Sequence, residues 1–287
     1  MSDQHLQTIQ NYIDKMPSLP TTVNKVLKIC NQADVSPNDL NKIISLDPVL
    51  AGNVLRLINS AYCALPNHIT SLTRAIIILG INTVKNLALS TAVLRNMKES
   101  EQSSLSMDKF WAHSICVGVI AKAIAAQCEI PVNQREEFFL AGLLHDLGKI
   151  PMAHCFPDEY SACLTDAQEN KLSLHDAEIA VFGFNHQHCG HTIASKWKLN
   201  DNIIAAMRYH HEAEKSDPDH RLLISSVAIA DVYANIFEIG SAGNHFIAQD
   251  HIMAIFEQSK ISWASLSQLH ESIQDSIDKA TIFLQVS

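Results

Sequence analysis

Apolar positions in this chain recur every three to four residues through almost every segment, the spacing of a helix with one buried face. In VSPNDLNKIISL, Ser36 stands where a cap belongs, Pro37 suits the first helical position, and Asp39 falls at capping-box spacing. Val49, Leu50, Val54, Leu55 and Ile58 continue an apolar face after Pro48. The stretch TSLTRAIIILGINTVKNLALSTAVL is predicted to break at Gly80 and to resume with Val84, Leu87 and Ala88. AIIIL has the make-up of a short buried strand, but its context favours helix. No pair of alternating runs flanks an Asn-Gly or Asp-Gly turn, so no hairpin is expected. Further on, FWAHSICVGVIAKAIAAQ, FFLAGLLHDLGKI and RLLISSVAIADVYANIF read as three helices. The polar stretch KESEQSSLSMD, residues 98–108, makes the best internal boundary. The expected fold is all-α, with two packed helical subdomains at residues 1–105 and 106–287.

Composition narrows the function classes. Hydrophobic residues make up 47% and charged residues 18%, the balance of a globular protein rather than a disordered one. Thirty acids against 21 basic residues give a formal charge of −9, which argues against a nucleic-acid partner held by backbone electrostatics. Lys and Arg interrupt the apolar runs, so no membrane-spanning segment and no membrane partner are expected. MSDQHLQTIQNYIDK has no signal-peptide core, which predicts a cytoplasmic location. Seven cysteines without a C-x-x-C pair fit reduced thiols.

Histidine is the anomaly, with fifteen in the chain and ten of them between His113 and His220. His113 is flanked by Trp111, Ala112, Ile115, Cys116 and Val117. His145 and Asp146 follow Leu143 and Leu144, and Asp231 has Val227, Ala228 and Ala234 at helical spacing. His210 and His211 end DNIIAAMRYHH, whose Ile203, Ile204 and Met207 should pack inward. One such residue alone is ordinarily a satisfied core group. Five segments each delivering one to the core need five private partners, or one shared metal cluster.

The order His113, His145-Asp146 in HDLGK, then Asp231 resembles the H…HD…D signature of the HD superfamily of metal-dependent phosphohydrolases. FGFNHQHCGHTIASKWKLNDNIIAAMRYHHE resembles the HDOD family, HD-related output domains of bacterial signalling proteins. So do MPSLPTTVNKVLKICNQADVSPNDLNKIISLDPVLAGNVLRLINSAY and ITSLTRAIIILGINTVKNLAL, and the similarity covers roughly residues 15–235. The resemblance implies an all-helical fold whose second subdomain is an HD-type bundle. It also implies a first metal site of His113, His145, Asp146 and Asp231. By similarity to the HD-GYP group, a second ion would take His186, His210 and His211, with Asp146 bridging. Asp146 and Lys149 would then be the catalytic pair, Lys149 steadying a phosphate. The implied cofactors are two divalent transition-metal ions, iron first, with manganese or zinc as alternatives.

His186, His188 and His191 lie close together, and only the motif match prefers His186. Many HDOD proteins have lost these ligands and are regarded as non-catalytic; this chain departs from that habit. After HHE it reads AEKSDPDHR, with no GYP tripeptide, so cyclic-di-GMP hydrolysis is not expected. The functional expectation is a signalling protein with an intact binuclear site and phosphohydrolase activity. The alternatives are a catalytically inactive interaction scaffold and a di-iron redox or oxygen sensor. Signalling proteins and a nucleotide or phosphoester ligand are the expected partners. In LDPVLAGNVLRLINSAY, packing explains the apolar spacing better than partner binding, and Asn53, Arg56 and Asn59 share one polar face.

Overall fold

The computed structural model describes residues 2–30, 32, 34–97, 104–244, 246, 249–259, 261–268 and 270–285. Residues 98–103 of the expected boundary therefore lie outside the described residues. The first helices are α1 (Ser2–Lys15), α2 (Thr21–Cys30), α3 (Pro37–Ile44), α4 (Pro48–Ile58), α5 (Leu72–Leu79) and α6 (Ile81–Asn96). Next come α7 (Met107–Gln127), α8 (Val132–Leu144), α9 (Lys149–Cys155), α10 (Pro157–Glu169), α11 (Leu174–Phe182) and α12 (His186–Lys196). The last are α13 (Asp201–Tyr209), α14 (Arg221–Ile236), α15 (Gln249–Ser259), α16 (Trp263–Gln268), α17 (His270–Ala280) and α18 (Ile282–Gln285). Among the described residues all regular structure is helical, as the periodicity predicts.

Local signals set the boundaries. Ser36 Oγ accepts the Asp39 N–H at 3.2 Å, and its hydroxyl donates to the Asp39 carboxylate at 2.6 Å, closing the start of α3. Gly80, at φ +87°, separates α5 from α6 and lets the chain bend by 117° there. AIIIL is thus the body of a helix and not a strand. Asn59 clamps the loop after α4, donating to the Ile69 carbonyl and accepting the Ile69 N–H, both at 2.7 Å. Arg56 donates to the Gln285 carbonyl at 3.1 Å, so the polar face of α4 ties the N-terminal helices to the C-terminal one.

One buried apolar cluster runs from Ile9 to Phe283 and spans the expected boundary. Its axis is α7, which packs on α8, α14 and α17. A Cβ at Gly142 would lie 2.6 Å from Gly118 Cα, so α7 and α8 touch backbone to backbone at this glycine pair. One sequence expectation needs correction here. With its 21 residues, α7 is long enough and, at mean hydropathy 1.3, apolar enough to cross a membrane, because Lys109 and Lys122 dilute it too little. In the fold 72% of that apolar window is buried by protein neighbours, which accounts for its composition.

Candidate metal centre

Three helices and two turns deliver the singled-out side chains. His113 lies in α7 and Asp231 in α14. His145 and Asp146 occupy the four-residue turn HDLG between α8 and α9. His210 and His211 follow α13, and His186 opens α12. That opening is fixed twice: Asn185 caps it by accepting the His188 N–H at 3.1 Å, and the His186 N–H donates to Glu178 at 2.9 Å.

All seven side chains meet. His113 Nε2 lies 3.0 Å and His145 Nε2 3.7 Å from Asp231 Oδ1. Asp146 stands between two groups. Its Oδ2 is 3.2 Å from His145 and 4.0 Å from His113. Its Oδ1 is 3.3 Å from His186 and 3.6 Å from His210. His211 Nε2 lies 3.2 Å from His186 Nε2. Within each group, His113/His145/Asp146/Asp231 and Asp146/His186/His210/His211, the ligand atoms lie within 4.8 Å of one another. With metal–ligand bonds of about 2.0–2.2 Å, that is close to the span of one coordination sphere.

The outer nitrogens settle the tautomers. His145 Nδ1 donates to the Gly142 carbonyl at 2.7 Å and His210 Nδ1 to the Ala206 carbonyl at 3.0 Å. His186 Nδ1 donates to Glu178 Oε2 at 2.6 Å, and Glu178 also accepts from the Tyr160 hydroxyl at 2.7 Å. Each Nε2 is left facing inward, the arrangement found around metal-bound imidazoles. His186 and His210 then present two lone pairs to each other at 3.3 Å, which repel unless a cation sits with them. Nε2 of His113, Nε2 of His145 and Oδ1 of Asp146 are buried and have no aligned hydrogen-bond partner. Such groups are costly to leave unmatched, and a cation in each group satisfies them all. The donor set fits two ions.

The electrostatics agree. Burial works against the Asp146 carboxylate, yet His145 and Lys149 hold it well below its usual range. Burial likewise opposes ionised Asp231, and His113 and His145 overcome it. Burial pushes His210 down to about 4 and His211 well below its ordinary value, so both imidazoles are neutral at pH 7, the form that can bind a metal. His145 goes the other way: burial disfavours its charge, but Asp146 and Asp231 push it up to about 10. A metal ion must displace that proton. Metal affinity is therefore expected to rise with pH up to about 10, as the His145 proton is released. Calorimetry in buffers of different ionisation enthalpy measures that proton, and a pH-independent affinity would contradict the assignment.

A cavity of about 290 Å³ opens on the centre, with His210, His211 and Asp231 lining it and Asp176, Glu212 and Glu214 towards solvent. Among the described residues no Lys or Arg lines it. Lys149 is absent from the lining: it is fully buried, and its ammonium donates to Asp146 Oδ2 at 2.6 Å. His188 and His191 lie outside both groups, and His154 is exposed against the Tyr12 ring. Cys189 is buried with its thiol pushed well up by burial, and it joins neither group. Sequence reasoning missed Glu178, the partner of His186, and His175, which lines the cavity beside His211.

The chain belongs to the HDOD domain family, whose model matches residues 16–213. Asp231 lies beyond the end of that match and joins the centre through α14. The fold is similar to an HDOD domain protein with unknown function from Geobacter sulfurreducens, at 24% identity, 98% coverage of both chains and TM-score 0.78. It is also similar to a candidate phosphohydrolase from Shewanella amazonensis SB2B, at 21% identity, 97% coverage of both chains and TM-score 0.74. A candidate signal transduction protein from Marinobacter aquaeolei VT8 is 18% identical with TM-score 0.74, over 99% of this chain and 66% of that one. An uncharacterized protein of Treponema pallidum (strain Nichols) is 26% identical over 228 residues, 78% of this chain. The match takes up 43% of that relative, so this chain spans less than half its length.

Proposed function

We propose that the chain is a cytoplasmic HDOD signalling protein with a binuclear metal centre and hydrolytic activity on a small phosphoester. The observation that carries this reading is Asp146, whose two oxygens face two different sets of imidazole nitrogens at 3.2–4.0 Å. Divalent ions bound there would supply a water of lowered pKa and Lewis-acid stabilisation of a phosphoryl oxygen. His113, His145 and Asp231 position one ion, and His186, His210 and His211 the other. Lys149 neutralises Asp146 from the buried side. His175 lines the cavity beside the centre, with its Nδ1 3.2 Å from Asp176. The family and the Marinobacter relative's description support the signalling role, with other signalling proteins as partners. The acidic mouth disfavours polyanions and agrees with the missing GYP tripeptide in setting cyclic-di-GMP aside.

The same mouth favours a second reading, a di-iron redox or oxygen-sensing centre, because no Lys or Arg among the described residues lines it to receive a phosphate. Elemental analysis of protein purified without chelator is expected to give about two transition-metal ions per chain. The iron- or manganese-loaded protein is expected to cleave generic phosphodiesters slowly and cyclic-di-GMP not at all. Zero metal removes both readings. Two metals without hydrolysis, together with an optical change on admitting oxygen to the reduced iron form, selects the second.

A further inference from the structure

Three of the chain's 21 basic residues converge on a concavity away from the metal ligands. It measures about 240 Å³ and lies among α7, α8, α17 and the segment after α4. Lys122, Arg135 and Lys279 line it, with Ser276, Tyr62 and Val119, and no Asp or Glu does. In a protein with nine more acids than bases, such a grouping of cations needs a cause.

Part of it has a structural one. The half-buried Tyr62 donates its hydroxyl to Glu136 at 2.7 Å, and the Lys122 ammonium donates to the same hydroxyl at 2.9 Å and to Glu136 at 2.6 Å. That ammonium also stands 4.2 Å from the Tyr62 ring centroid. The triad joins the segment after α4 to α7 and α8, and it fixes where the Lys122 charge sits. It does not explain Arg135 or Lys279. Arg135 donates through Nε to the Ile130 carbonyl at 2.6 Å and has no carboxylate partner among the described residues. Lys279 pairs with exposed Asp275 on its own helix, and neither Asp275 nor Glu136 lines the concavity. Three cationic side chains therefore line one space; Glu136 and Asp275, outside its wall, offset Lys122 and Lys279, and among the described residues no carboxylate offsets Arg135.

We infer that this concavity binds a small phosphomonoester, up to a mononucleotide in size. A planar guanidinium receives two phosphate oxygens and the ammonium groups add point charge, while Tyr62 and Val119 offer an apolar wall. The site stands apart from the metals. Lys122 lies nine residues beyond His113 on α7, about 13 Å along the axis. The inference does not depend on the metal-centre reading.

Calorimetry on the full chain, chelator-treated and metal-loaded, at constant ionic strength, tests it with inorganic phosphate, adenosine monophosphate and adenosine. Phosphate and adenosine monophosphate are expected to bind saturably at one per chain in both forms, and adenosine not to bind. Arg135→Gln with Lys279→Gln is expected to weaken both at least about tenfold, as loss of charge-assisted contacts does. Lys279→Glu alone, at an exposed position, is expected to weaken binding without touching the core. Loss of binding on chelation would assign the anion to the metals. Equal affinity in the charge variants, adenosine binding as well as its phosphate, or no saturable binding would each overturn the inference.

Discussion

Replacing Asp146 with asparagine is expected to empty both halves of the metal centre at once. Among the described residues no other side chain belongs to both ligand groups. An amide keeps the shape but cannot offer two anionic oxygens, so each group loses its shared charge. Asp231→Asn is expected instead to take away only the ion held with His113 and His145, because His186, His210 and His211 keep Asp146. Elemental analysis reads this as near zero against about one ion per chain. Asp146→Asn carries a second cost unrelated to metal. Lys149 is fully exposed to no solvent and has its ammonium 2.6 Å from Asp146, so the variant strands a buried charge. Breaking a buried pair from one side costs about 3–5 kcal/mol. Adding Lys149→Met removes the stranded charge, so the double variant is expected to regain most of the stability while staying metal-free. Wild-type metal content in Asp146→Asn would defeat the bridging role; a double variant as unstable as the single would defeat the account of Lys149.

The grouping of the seven side chains was legible because each one interrupts an apolar helical face, and a polar group there must find a partner inside. His113 and Asp231 are clear examples: the helices around them are buried on nearly every side. What hid Glu178 was its own helix. In LHDAEIAVF the apolar residues point both ways, with Ile179 and Val181 exposed at 43% and 44%, so periodicity does not mark the buried side. The contest among His186, His188 and His191 could not be decided by spacing. It depends on where α12 begins, and that is set by Asn185 and by a carboxylate eight residues earlier. The cavity mouth was invisible for a related reason. Asp176, Glu212 and Glu214 sit in two separate segments, each reading as an ordinary solvated charge until the fold sets them together. The Tyr62–Glu136 hydrogen bond spans 74 residues, and no local pattern announces it.

Gly148→Ala is expected to be the most damaging single methyl in the molecule. A Cβ built there would lie 1.9 Å from the His186 carbonyl oxygen and 2.6 Å from the Gly190 amide nitrogen. Both are backbone atoms of α12, so no rotamer change relieves the contact. Gly148 has φ −65°, an ordinary helical value, and the requirement for glycine is therefore purely steric. To admit the methyl, α12 must move off the HDLG turn and carry His186 away from Asp146 Oδ1, now 3.3 Å distant. Overpacking of this kind costs about 1–3 kcal/mol, and more where backbone must shift. The expected result is a lower denaturant midpoint together with loss of the ion held by His186, His210 and His211. Gly52→Ala provides the contrast. Nothing lies within 4 Å of its added Cβ, and within α4 the change is expected to stabilise by up to about 1 kcal/mol. The pair separates contact from composition: the same methyl helps where α4 has room and harms where α12 lies against the turn. Should Gly148→Ala keep wild-type stability and both ions, the close packing of α12 on the HDLG turn could not be what positions His186.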